Sequence, residues 1–274
     1  MELDALWDFN DPAASEEKFA LWLMEQPAGT QLQAEGLTQL ARAQGLQGHF
    51  DQAHETLNDA DLITGEHRTR ARVRVLLERG RVYNSSDDKA AALDLFKQAV
   101  TLASEINEDG LEVDAMHMVA IADDPELSAD HNRAAIRRAE ESGDPAARKW
   151  LGSLFNNLGW SLFEEKKTEE ALRCFQSALK YREEQGSRIA EAKWPVARAL
   201  RELGRNDEAL AMQLSLQDGN DGFVEEELAL LYRGKGDLAK AKTHAEKAVA
   251  LLGAKPWYVK NEPHRLQTMK DIAG

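Results

Sequence analysis

Between Ser153 and Tyr181, apolar residues recur at Phe155, Leu158, Leu162 and Phe163, stop at the polar run EEKKTEE, and resume at Ala171, Leu172, Phe175, Ala178 and Leu179. Spacings of three and four residues put each set on one stripe of a helix, so the stretch predicts two amphipathic helices joined by a tight turn. Gly159 opposite Ala171, with Phe175 four residues further on, predicts a close antiparallel crossing filled at its side by an aromatic ring. The alternation of stripe, turn and stripe runs through most of the chain. It passes from Leu37, Leu40 and Ala41 through GHFDQ to Ala53, Leu57 and Ala60, and from Leu76, Gly80 and Tyr83 to Ala92, Phe96 and Ala99. Nearer the C-terminus it joins Val196, Ala197 and Leu200 through ELGRNDE to Ala209 and Leu216, then Leu228, Ala229 and Tyr232 through GKGDLAK to Ala241, Ala245 and Ala248.

The pattern also has departures. From about Glu108 to Ser142 the hairpin survives while its register does not; Ala53 and Ala92 are 39 residues apart and Ala92 and Ala171 are 79 apart, close to two such steps, which points to a degenerate unit between them. Gln44 and Gln213 stand where an aromatic ring is expected, and small Ala245 takes the same place in the last unit, predicting thinner packing there. Pro195 in WPVARAL predicts either an interrupted helix or a helix that begins at Trp194. A helix over 14–25, started by Asp11-Pro12 and ended by Gln26-Pro27-Ala28-Gly29, precedes the first hairpin. KPWYVKNEP and a short helix from about His264 follow the last. The predicted organisation is an N-terminal capping helix in 1–33, about six hairpins in 34–253 with the third degenerate, and a C-terminal linker and capping helix in 254–274.

Leu158, Gly159, Leu162, Ala171, Phe175 and Ala178, with Leu76, Gly80, Tyr83, Ala92, Phe96 and Ala99, resemble the signature of a tetratricopeptide repeat. The long steps, and stretches such as FKQAVTLASEINEDGLEV and FQSALKYREEQGSRIAEAK, are similar to the longer-helix branch found in kinesin light chains and bacterial peptide-sensing regulators. The resemblance implies an all-α fold, a right-handed superhelical solenoid of antiparallel helix hairpins, with the first helix of each hairpin lining a concave groove. Carried onto this sequence, the groove receives Thr38 and Arg42; Arg74, Leu77, Glu78 and Arg81; Ser153, Asn156, Asn157, Trp160 and Phe163; and Glu191, Trp194, Pro195, Arg198 and Arg201. Arg42, Arg81 and Arg198 take one equivalent inward position, where a guanidinium fork could receive a carboxylate or pair with acids of the chain such as Glu78 and Glu202. Asn156 and Asn157 could hold a peptide backbone, and Trp160 and Trp194 offer flat anchoring surface. Thr38, Arg42 and Arg81 depart from the carboxylate clamp of chaperone-binding relatives, which argues against chaperone tails as the ligand.

Charge and chemistry narrow the function. The 274 residues carry 48 acidic and 34 basic side chains, a formal charge of −14, which repels nucleic acid and anionic membranes. No signal-peptide start and no run of 18 apolar residues is present, and Cys174 is the single cysteine; cytoplasm is the expected compartment. No H-E-x-x-H, paired-cysteine, phosphate-loop or nucleophile-elbow motif occurs, so neither enzyme activity, metal nor cofactor is expected. His117, between Met116 and Met118, could face His131 across a hairpin, but a satisfied polar contact is what is expected of it. The E-E-E run at Glu225 to Glu227 is expected to be a solvated helix face. The sequence therefore points to a non-catalytic scaffold that binds a protein or peptide in the groove, an acidic or C-terminal carboxylate being one group it could present. A regulator sensing a small signalling peptide and an assembly factor using its convex face or ends are the alternatives.

Overall fold

The computed structural model describes residues 3–216 and 220–274, and every regular element among them is helical. The chain divides into two compact units, 3–154 and 155–274. In the first, a 3-10 turn (Leu3–Leu6) leads to α1 (Pro12–Met24), followed by α2 (Gln31–Leu46) with α3 (Phe50–Thr64), and α4 (Arg70–Ser85) with α5 (Lys89–Glu105). Next come α6 (Asp109–Ala122), a 3-10 turn (Pro125–Leu127), α7 (Ser128–Glu141) and α8 (Pro145–Arg148). The division falls within α9 (Leu151–Glu164). The second unit continues with α10 (Thr168–Gln185), α11 (Ile189–Glu202), α12 (Asn206–Leu214), α13 (Gly222–Gly234), α14 (Leu238–Gly253), α15 (Pro256–Asn261) and α16 (Pro263–Ala273). Consecutive helices pack as antiparallel hairpins and first helices pack on first helices, α2 on α4 and α11 on α13. Each unit is a stack of helix hairpins.

Local chemistry sets the boundaries. Asp11 Oδ1 accepts from Ala14 N at 3.0 Å with Pro12 in the first turn, and Thr30, Thr69, Asp88 and Asp237 cap α2, α4, α5 and α14 through their side-chain oxygens. The hairpin turns pass through the left-handed region. Gly204 and Gly236 occupy it without steric cost, whereas Asp87 (φ 72°) and Lys166 (φ 64°) take it with a side chain.

Small residues let the paired helices approach. Ala41 and Ala53, Ala92 and Ala99, Ala171 and Ala178, and Ala241 and Ala248 are buried. At Gly80 and Gly159 an added Cβ would lie 2.5 Å from the Phe96 and Phe175 rings, so each glycine admits a ring face that any side chain would displace. Gln44 fills the aromatic position by a polar route, its Oε1 accepting from buried Thr56 at 2.8 Å. Gln213 is fully buried and its amide makes no hydrogen bond. The last hairpin is not thinly packed: Leu252, Tyr258, Leu266 and Met269 join Ala245 in one buried cluster, because α15 and α16 fold back onto α14. Pro195 lies inside a continuous α11, with no separate segment before it. Among the described residues, no helix is long and apolar enough to cross a membrane.

Candidate functional site

The expected groove residues fall into two groups, one in each unit. In the first unit the first helices α2, α4 and α6 share a charged seam. Arg42 reaches Glu78 at 3.4 Å, Arg81 pairs with both Glu78 and Asp114, and Arg74 reaches Glu35 at 3.2 Å. Burial pulls the Arg42 guanidinium down and neighbouring Arg81 adds to this, while at Arg81 itself Asp114 and Glu78 outweigh burial and raise it. The arginines are thus engaged by acids of their own chain. Thr38, Leu77 and Glu78, expected to line the groove, are buried instead; Thr38 Oγ1 donates to the Glu35 carbonyl at 2.7 Å. A 210 Å³ cavity beside the seam is lined by Arg42, Leu46, Arg81, Val82 and Met118, among others.

His117 and His131 do not meet. His131 lies 3.1 Å from Asp123, while the His117 ring packs on Trp150 at 5.0 Å. Burial holds the His117 imidazole down at about 4, with Asp114 pulling it up and Arg81 pushing it down. The unfolded chain takes up this proton near pH 6.5 and the folded chain only near 4, so stability present above pH 6.5 is lost as the pH falls through that window. The loss at pH 5 should be about 2 kcal/mol. Urea midpoints at pH 7 and pH 5 check this: His117→Asn should lose less stability over the interval than the wild type, and an equal loss would assign the effect to other groups.

The second unit carries an aromatic row. Trp160 of α9, Trp194 of α11, Phe223 of α13 and Tyr258 of α15 follow one another at centroid spacings of 5.7 Å. The Trp194 indole donates to the Phe223 carbonyl at 3.1 Å, which holds it in register. Arg198 lies over three rings, 5.3 Å from Trp194, 5.6 Å from Phe163 and 5.8 Å from Trp160. Its nearest carboxylate is Glu227 at 3.9 Å, its buried Nε makes no hydrogen bond, and burial, then Arg265, lower its pKa. The ring quadrupoles supply part of the stabilisation that a paired carboxylate would otherwise give. Arg201, one turn on, is fully occupied: it grips Glu227 at 2.6 and 3.3 Å and Glu202 at 3.0 Å. Asn156 donates to Asn157 at 3.4 Å on α9, one turn before Trp160. Between the N-terminal turns of α11 and α13, Ala190, Glu191, Trp194, Leu216, Asp221, Phe223 and Val224 enclose a 470 Å³ cavity.

The E-E-E run is not a solvated face. Glu225, Glu226 and Glu227 are 0, 2 and 1% exposed. Each turns about 100° from the last and finds a different partner. Glu225 meets His244 at 2.6 Å, Glu226 takes Arg265 of α16 bidentately at 2.8 and 2.7 Å, and Glu227 takes Arg201. Three consecutive acids sweep too much of a helix to share one face, and flanking Val224 and Leu228 mark a helix enclosed on several sides. Phe223, Tyr258 and Arg265 were absent from the sequence-derived set because their partners lie 29 to 39 residues away. Among the described residues, no group of histidine, cysteine, aspartate or glutamate could hold a metal ion.

Models of the tetratricopeptide repeat match residues 151–184 and 227–251. The chain thus carries tetratricopeptide repeats in these two stretches. Its fold is similar to that of a STAND signal-transduction ATPase with a tetratricopeptide repeat sensor from Pyrococcus horikoshii, with a TM-score of 0.70 and 13% identity over 96% of this chain and 42% of that one. The quorum sensor NprR of B. thuringiensis aligns with a TM-score of 0.59 and 12% identity, covering 97% of this chain and 83% of its own. Kinesin light chain TPR-like repeats of Podospora anserina align with a TM-score of 0.51 and 15% identity, covering 66% and 91%. No curated protein matches the chain in sequence.

Proposed function

We propose that the protein is a non-catalytic interaction module that holds an extended peptide or partner segment against the aromatic row of the second unit. The observation that carries this reading is Arg198. A guanidinium stacked on three rings, with no hydrogen bond of its own and its nearest carboxylate 3.9 Å away, has donors to offer a ligand. A carboxylate of the partner, from a side chain or a C-terminus, is the matching group. Trp160 and Trp194 give the adjoining apolar side chain a flat seat. Arg201, Arg42 and Arg81 serve as internal counter-ions, which leaves Arg198 as the recognition arginine of the original set. The repeats extend over 34–253 in this reading and belong to the longer-helix type of kinesin light chains, supported by 17 residues in α5 and 18 in α10. A single thiol at Cys174 fits the cytoplasm.

Selection of a random displayed peptide library tests this. Enriched peptides should share an acid beside an apolar residue and bind the Trp160→Ala/Arg198→Ala variant at least tenfold more weakly, with helicity unchanged because Arg201 still neutralises Glu227. Enriched peptides that bind wild type and variant alike would move the site off the aromatic row.

A further inference from the structure

Arg198 is not the only arginine held over rings. In the first unit Arg42 lies 5.7 Å from Trp7 and 5.6 Å from Phe9, two rings stacked on each other at 4.6 Å and 3°. Here the rings come not from the repeats but from the segment that precedes α1. That segment is seated like a ligand. Leu6 is buried against Phe19, Trp22 and Ala43. The Trp7 indole meets the Phe19 ring edge-on at 5.0 Å and donates at 3.0 Å to Oε1 of Gln39, a buried amide of α2. Phe9, 56% exposed, is held by little beyond the Trp7 ring and Arg42. The backbone is pinned at Asp8, whose N donates to Ser15 Oγ at 2.8 Å and whose carbonyl accepts from the same hydroxyl at 3.0 Å.

An aliphatic anchor, a hydrogen-bonded indole and an outer ring under a cation are the groups by which a short peptide docks on a helical surface. We propose that the α1–α2 surface around Leu40, Gln39 and Arg42 is a peptide-docking site occupied in cis by residues 3–9, and that its partner carries the same elements, a Leu-Trp pair followed two residues after the leucine's neighbour by a second ring, as in Leu6-Trp7-Asp8-Phe9. The partner displaces Leu6, Trp7 and Phe9 of the cis segment together. This site is separate from the aromatic row and stands or falls without it.

A fluorescein-labelled peptide spanning residues 2–11 is the probe, followed by anisotropy. The chain lacking residues 1–9 keeps the Asp11 cap of α1 and should bind the peptide saturably; Trp7→Ala in the peptide or Arg42→Ala in the chain should weaken binding at least tenfold. In the full chain, Trp7→Ala/Phe9→Ala retains the Leu6 anchor and should bind the peptide at least tenfold more tightly than the wild type. A folded truncated chain that shows no saturable binding would overturn the proposal and make the segment a structural cap. Should the truncated chain fail to fold, the double variant decides: binding no tighter than the wild type overturns the proposal in the same way.

Discussion

Replacing Arg265 with alanine is expected to destabilise the protein by about 3–5 kcal/mol, the cost typical of removing one partner of a buried pair. The loss should exceed that of Glu226→Ala. Glu226 is 2% exposed and depends on the bidentate guanidinium, whereas the Arg265 side chain is 21% exposed and can still reach water when its carboxylate is gone. Arg265 also covers Phe223 and Tyr258, so its removal uncovers ring surface as well. Urea unfolding of both variants at pH 7 checks the order. A cost for Arg265→Ala of 1 kcal/mol or less would mean that α16 detaches and lets water reach Glu226.

A second large effect is expected at the crossing of α9 and α10. Phe175→Ala should cost about 3–5 kcal/mol, since it empties a fully buried ring position. Gly159→Ala is more informative. On helix propensity alone it should stabilise by about 1 kcal/mol, but its Cβ would stand 2.5 Å from Phe175 Cε1. The Phe175 ring cannot swing aside, because Trp160 is edge-on to it at 5.0 Å. Overpacking of about 1–3 kcal/mol therefore wins and the substitution destabilises. In a Phe175→Ala background the same methyl enters free space and becomes stabilising. The double-mutant cycle, from four chemical-denaturation curves, should show a coupling of about 2 kcal/mol. Additivity would mean that the glycine and the ring do not share this space.

The hairpins were legible because their determinants are local. Gly159, Ala171 and Phe175 are separated by one turn and a few helical steps, and the capping residues Asp11 and Asp88 act within three residues of themselves. Trp160, Trp194 and Arg198 were legible as candidates because the repeat register carries them to equivalent places. The partners of the charged residues were not. Whether Arg201 faces a ligand or Glu227 is decided by the packing of α11 on α13, 26 residues on, and nothing in the local sequence marks Glu225, Glu226 and Glu227 as buried except that consecutive positions on a helix cannot share one side. Trp7 and Phe9 lie outside the repeat register, so their seat on Arg42 had no sequence signal.

The three carboxylates of α13 bear on how freely this array could be rebuilt. Ideal solenoids are tiled from units that contact only their neighbours through generic apolar surface, so tiles can be duplicated, deleted or exchanged. Here α13 is wired to the preceding hairpin by Glu227–Arg201, to its own second helix by Glu225–His244, and to the closing helix by Glu226–Arg265. Splicing a consensus unit on either side of this hairpin would strand a carboxylate unless its cationic partner were transplanted with it. The segment from α11 to α16 is therefore one indivisible cassette, the smallest piece of the second unit that could be moved between scaffolds intact.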